Sequence, residues 1–99
     1  MKKPLRGDQL TIRYEGALLR ARCDEISDTP TRGPGAASFT IVSQTPFVRG
    51  REAQLVLGAS EMPLNVERVS VVGHRHINII LLGGIFEAPA AVAPVEIKL

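Results

Sequence analysis

The clearest hydrophobic pattern lies near the start of the chain. Apolar residues alternate with polar ones at Leu10, Ile12 and Tyr14, and again at Ala17, Leu19, Ala21 and Cys23. Such period-two alternation marks strands with one buried face. Folded about Glu15-Gly16, the two runs pair Tyr14 with Ala17, Ile12 with Leu19 and Leu10 with Ala21. The opposite face then carries Gln9, Thr11, Arg13, Arg20 and Arg22. A three-residue loop would set Leu10 against Arg20 and Ile12 against Leu18, mixing the faces, so the pattern selects the tighter hairpin. Glu suits a positive φ poorly, which leaves the turn type open from sequence.

Further strands follow the same logic. Phe39 to Ser43 predicts a third, with Phe39, Ile41 and Ser43 on one face, and Ala53 to Leu57 a fourth after a turn region at 46–51. Val66–Val72 and Ile77–Leu82 predict a second hairpin around Gly73-His74-Arg75-His76. Its strands are apolar at nearly every position, as expected when a barrel wall or a partner covers both faces. Pro and Gly make residues 24–38 a long connecting loop. Residues 58–65 read as irregular, with one helical turn at Ser60-Glu61-Met62 before Pro63. No stretch carries a helical stripe. The expected class is all-β: a small antiparallel β-barrel or sandwich of six to seven strands with little helix. Residues 1–86 form one domain. An Ala/Pro linker and a C-terminal edge strand at Val95–Leu99 follow in 87–99, available to this sheet or to a neighbour's edge.

Composition refines this picture in three ways. Aromatics amount to 4% of the 99 residues, so aliphatic side chains must build the core. Nine of the twelve cations are Arg, and the lysines are Lys2, Lys3 and Lys98. Arg offers a planar fork to phosphate and carboxylate; a GC-rich genome accounts for the same bias without any ligand. Cys23 is the single cysteine, which excludes an intrachain disulfide and fits a small buried hydrophobe. The run Ile77–Ile85 is interrupted and too short to span a bilayer, and no apolar stretch follows Met-Lys-Lys. A cytoplasmic protein without membrane contact is expected.

Candidate chemistry is sparse. His74 and His76 flank Arg75 at a hairpin tip, but a four-ligand zinc site has no further His or second Cys to draw on. Asp24, Glu25 and Asp28 precede Arg32-Gly-Pro-Gly35 in a segment with neither calcium-loop nor phosphate-loop spacing. Arg49 and Arg51 bracket a glycine turn. No nucleophile, base and orienting partner share a motif, so no enzyme, cofactor or metal is expected. Arg13, Arg20, Arg22, Ser27, Arg32, Arg49 and Arg51 are the candidate ligand-binding residues.

The order of elements resembles the PilZ family of bacterial β-barrels. The residues concerned are Ala21-Arg-Cys-Asp-Glu-Ile-Ser27, Pro46-Phe-Val-Arg-Gly50 leading into Gln54–Leu57, and Val66–Val72. The resemblance covers Leu10 to about Gly84 and implies a six-stranded barrel. Family members bind cyclic di-GMP through R-x-x-x-R and D/N-x-S-x-x-G. Here Lys2 and Arg6 have the spacing of the arginine pair and Ser27 matches the serine. Glu25 replaces Asp or Asn, and Pro30 stands where the glycine belongs, so the resemblance implies the fold more than the ligand.

These readings leave three functions. The leading expectation is a non-catalytic binding or assembly module that forms a homodimer or joins another protein. The second is an anion-binding regulator that recognises a nucleotide or nucleic acid through its arginines. The third is a small-molecule-binding barrel gated by loop 24–38.

Overall fold

The computed structural model describes residues 2–73 and 77–86. Seven antiparallel strands form one sheet: β1 (Gln9–Tyr14), β2 (Ala17–Arg22), β3 (Glu25–Asp28), β4 (Ala36–Ser43), β5 (Glu52–Leu57), β6 (Ser60–Val72) and β7 (Ile77–Ile85). Their spatial order is β2-β1-β5-β6-β7-β4-β3. The edge strands β2 and β3 are consecutive in the chain, joined by Cys23-Asp24, so the sheet curls into a half-barrel. The Cys23 N–H donates to the Asp8 carbonyl at 2.8 Å, and the Asp24 N–H to the Thr40 carbonyl at 2.9 Å. The all-β class holds. The expected linker and edge strand at 87–99 lie outside the described residues, as do His74, Arg75 and His76.

The first hairpin has the expected register, with Tyr14 opposite Ala17, Ile12 opposite Leu19 and Leu10 opposite Ala21. Glu15 and Gly16 have φ of 51° and 83°, the paired positive values of a type I′ turn. This turn matches strand twist, and the sheet imposes it although Glu is a strained choice. Inward residues from every strand fill the barrel, with Ile12, Phe39, Ile41, Leu55 and Ile80 fully buried. At the hairpin-turn end, Tyr14 stacks on Phe47 with ring centroids 4.1 Å apart. Its hydroxyl accepts the Val48 N–H at 2.9 Å, so the segment between β4 and β5 plugs that end.

Two predicted segments differ. Residues 24–38 are no continuous loop: they hold β3, a 3-10 turn at Pro30–Arg32 and the start of β4. In β3, Ile26 is the one residue packed against the core, so little hydrophobic pattern marks it. Residues 58–65 are not irregular and have no helical turn, because β6 runs through them from Ser60. Met62, Leu64 and Val66 alternate inward. Pro63 is exposed opposite Gln54 of β5, and pairing with β7 starts at Asn65, so the missing N–H falls where the strand has one neighbour.

Candidate functional site

The outer surface of β4, β7 and β6 departs most from an ordinary strand pattern. Because Phe39 and Ile41 point inward, Thr40 and Val42 point out; likewise Ile80 and Leu82 point in while Ile79 and Leu81 point out. Val42 pairs with Ile79, which pairs with Ser70, and Val72 pairs with Ile77. Val42, Ile79 and Val72 are 47%, 39% and 46% exposed. The apolar character of β7 on both sides is thus explained on one side by the core and left open on the other.

A bulge in β6 sets the charges beside this surface. Val66 faces Leu82 and Arg68 faces Leu81, leaving Glu67 as the extra residue. Glu67 and Arg68 therefore both fall between inward Val66 and Val69, toward the outside. The Glu67 carboxylate accepts hydrogen bonds from Ser38 Oγ at 3.0 Å and from Arg32. This pairing raises the pKa of Arg32 further, chiefly through the hydrogen bond. The buried hydroxyl of Thr29 near this cluster has no hydrogen-bond partner among the described residues.

Next to the apolar surface, where β2 passes to β3, lies a groove of about 590 Å³. Thr40 and Ile79 contribute outer-face side chains to it, and Arg6, Arg22, Asp24 and Glu25 contribute charge of both signs. The N-terminal arm reaches the groove because Gly7 N–H donates to the Cys23 carbonyl at 2.7 Å. Arg22 is held by Asp24 at 3.3 Å. Cys23 is fully buried, and burial first, then the charges of Asp8 and Asp24, push its thiol pKa up. Burial and both carboxylates thus disfavour the thiolate, which is the reactive form of the group.

The candidate arginines do not form one face. Arg13 reaches Glu61 on β6 through Nη2 at 3.1 Å, Arg51 pairs with Glu15 at 2.9 Å, and Arg32 is bound to Glu67. Arg22 belongs to the groove, whereas Arg20 on edge strand β2 and Arg49 in the turn have no ion pair among the described residues. Ser27 lies on the outside of β3, opposite Ser38. Of the pair spaced like the PilZ arginines, Arg6 lines the groove while Lys2 lines a separate concavity beside Leu55 and Leu57. Sequence reading missed Val42, Glu67 and Arg68. The adjacent polar residues Glu67-Arg68, flanked by inward valines, were the available signal of a bulge.

Among the described residues, no three His, Cys, Asp or Glu side chains are placed to hold a metal ion. No helix among them is long and apolar enough to cross a membrane. No family model, curated protein or solved structure matches the chain.

Proposed function

We propose that this protein is a non-catalytic β-barrel module that works by association, burying the outer surface of β4, β7 and β6 against a second copy of itself. The exposed, register-paired Val42 and Ile79 carry this reading. Grouped apolar side chains on a sheet surface are a feature of interaction sites, and a second copy offers the same surface at equal concentration. The setting proposed with it is the cytoplasm, where an unpaired Cys23 stays reduced.

Sedimentation equilibrium across a wide concentration range tests the proposal. The wild type is expected to dimerise, and Ile79→Lys, altering an outward side chain, to sediment as a folded monomer with an unchanged circular dichroism spectrum. A wild type that remains strictly monomeric at millimolar concentration overturns the reading.

A second reading has a specific observation in its favour. Arg6 lines the groove without an ion-pair partner among the described residues, beside Arg22. Two guanidinium groups at one concavity suit a phosphate-bearing ligand such as a nucleotide or cyclic dinucleotide. Amide-resolved titration with cyclic di-GMP and mononucleotides at two salt concentrations tests it. Salt-sensitive shifts at Arg6, Arg22 and Glu25 would support the reading, and a silent groove would remove it.

A further inference from the structure

One transverse row of the outer surface has opposite charges at its ends. Glu25 on β3 is opposite Thr40 on β4, Thr40 is opposite Leu81 on β7, and Leu81 is opposite Arg68 on β6. The row spans three strand spacings, roughly 14 Å. Glu25 and Arg68 are both exposed, and neither has an ion-pair partner among the described residues. Five ion pairs are already made within the molecule, Lys3 with Asp28, Arg13 with Glu61, Arg22 with Asp24, Arg32 with Glu67 and Arg51 with Glu15, while Arg6, Arg20 and Arg49, like Glu25 and Arg68, have no partner among the described residues.

Resting on the self-association reading above, we infer that the dimer is isologous, with its two-fold axis parallel to the strands between β4 and β7, and that Glu25 of each copy receives Arg68 of the other. Charge and shape select this axis over the alternative. A two-fold running across the strands along this row lays β4 on β4 and β7 on β7, setting Glu25 against Glu25 and Arg68 against Arg68. Like charges so placed oppose association. An axis along the strands lays Glu25 on Arg68 twice, Thr40 on Leu81 and Val42 on Ile79. The smaller side chains of β4 then meet the larger ones of β7, and the sheets stack in the aligned manner of a sandwich.

The groove accommodates the curvature of the sheet. Glu25 lines it together with Thr40 and Ile79, so the long Arg68 side chain of the second copy enters a concavity and passes apolar surface before meeting the carboxylate. The bulge at Glu67 contributes directly. It turns Glu67 toward Arg32 and Ser38, leaving Arg68 as the unpaired charge at the end of the row.

Mixing single charge reversals tests the contact. Glu25→Arg alone and Arg68→Glu alone each place like charges across both symmetric contacts, and each is expected to weaken dimerisation by about tenfold or more. An equimolar mixture restores opposite charges at both contacts, so a heterodimer near wild-type affinity is expected in sedimentation equilibrium. Circular dichroism checks that each variant is folded. Should a reversal prevent folding, the neutral Glu25→Gln and Arg68→Gln variants replace it, with a smaller loss in each. A wild-type dimer indifferent to these substitutions, or reversals whose mixture is not rescued, overturns this contact while self-association stands. A strictly monomeric wild type overturns both.

Discussion

The Glu67 carboxylate occupies the space into which a side chain at Gly83 would project, so a Cβ there would collide with its Oε2. Gly83 is thus the socket that lets the bulged strand lay its carboxylate across β7 to Ser38 and Arg32. Gly83→Ala is expected to push the carboxylate off these partners and destabilise the fold by about 1–2 kcal/mol, since the displaced group is the free end of a flexible chain. Gly35→Ala should cost more, on the order of 2–4 kcal/mol. Its φ is +79°, and the added methyl would meet the Phe86 carbonyl, whose own N–H is tied to the Gly35 carbonyl at 2.8 Å. Urea unfolding of both variants checks the order; equal losses would mean that the backbone contact matters no more than the side-chain one.

How far the sequence reveals this arrangement depends on whether a signal is local. The first hairpin is legible to the residue because a register slip would expose Leu10, Ile12 and Tyr14 together. The start of β6 is obscured because Pro63 argues against a strand, and only its one-sided pairing with β5 makes it tolerable. Strand β3 is nearly silent, since an edge strand with Ile26 as its single core contact needs little hydrophobic pattern. The arginines are hardest to read. Their partners Glu61, Glu67 and Glu15 lie tens of residues away, so the sequence shows nine forks but not which are already engaged. The apolar excess of β7 was legible, while the side of the sheet left uncovered was not.

Glu15 sits in the left-handed region with φ of 51°, and its side chain pairs with Arg51 at 2.9 Å. These effects oppose each other. A left-handed conformation costs a non-glycine L-residue roughly 1–2 kcal/mol, a penalty that Asn lessens. An exposed ion pair is worth about 0.2–1 kcal/mol, and both partners are more than half exposed. Backbone relief should win, so Glu15→Asn is expected to stabilise the protein by roughly 0.5 kcal/mol. Thermal unfolding checks it, with Arg51→Ala as the control that removes the ion pair alone. A lower melting temperature for Glu15→Asn, matched by Arg51→Ala, would reverse the ranking of the two effects.

Tyr14 joins the hairpin to the plug by two different interactions, and substitution can separate them. Tyr14→Phe keeps the ring that stacks on Phe47 and removes the oxygen that accepts the Val48 N–H. That hydrogen bond is only part-buried, and a cost of about 1 kcal/mol is expected. Phe47→Ala removes a buried ring and should cost about 3–5 kcal/mol. Denaturant midpoints distinguish the two. A Tyr14→Phe variant as damaged as Phe47→Ala would assign the plug's stability to the hydrogen bond.

Cys23 makes the pH dependence of stability testable. The thiol is buried, and burial together with Asp8 and Asp24 raises its pKa in the folded chain above that in the unfolded one. With the pH between these two values, the unfolded chain releases the thiol proton while the folded chain keeps it, so unfolding gains a driving force as pH rises. This contribution is absent at neutral pH, begins as pH passes the ordinary thiol range and levels off above the raised folded value. Stability measured from pH 7 upward should therefore fall more steeply for the wild type than for Cys23→Ala, even though the cavity left by Cys23→Ala lowers stability at every pH. The same burial should slow reaction with a disulfide reagent at neutral pH by about a hundredfold or more relative to the unfolded chain, because labelling must await opening of the fold. Rapid labelling of the native protein, with parallel pH profiles for the two forms, would show that the thiol is accessible at the link between β2 and β3.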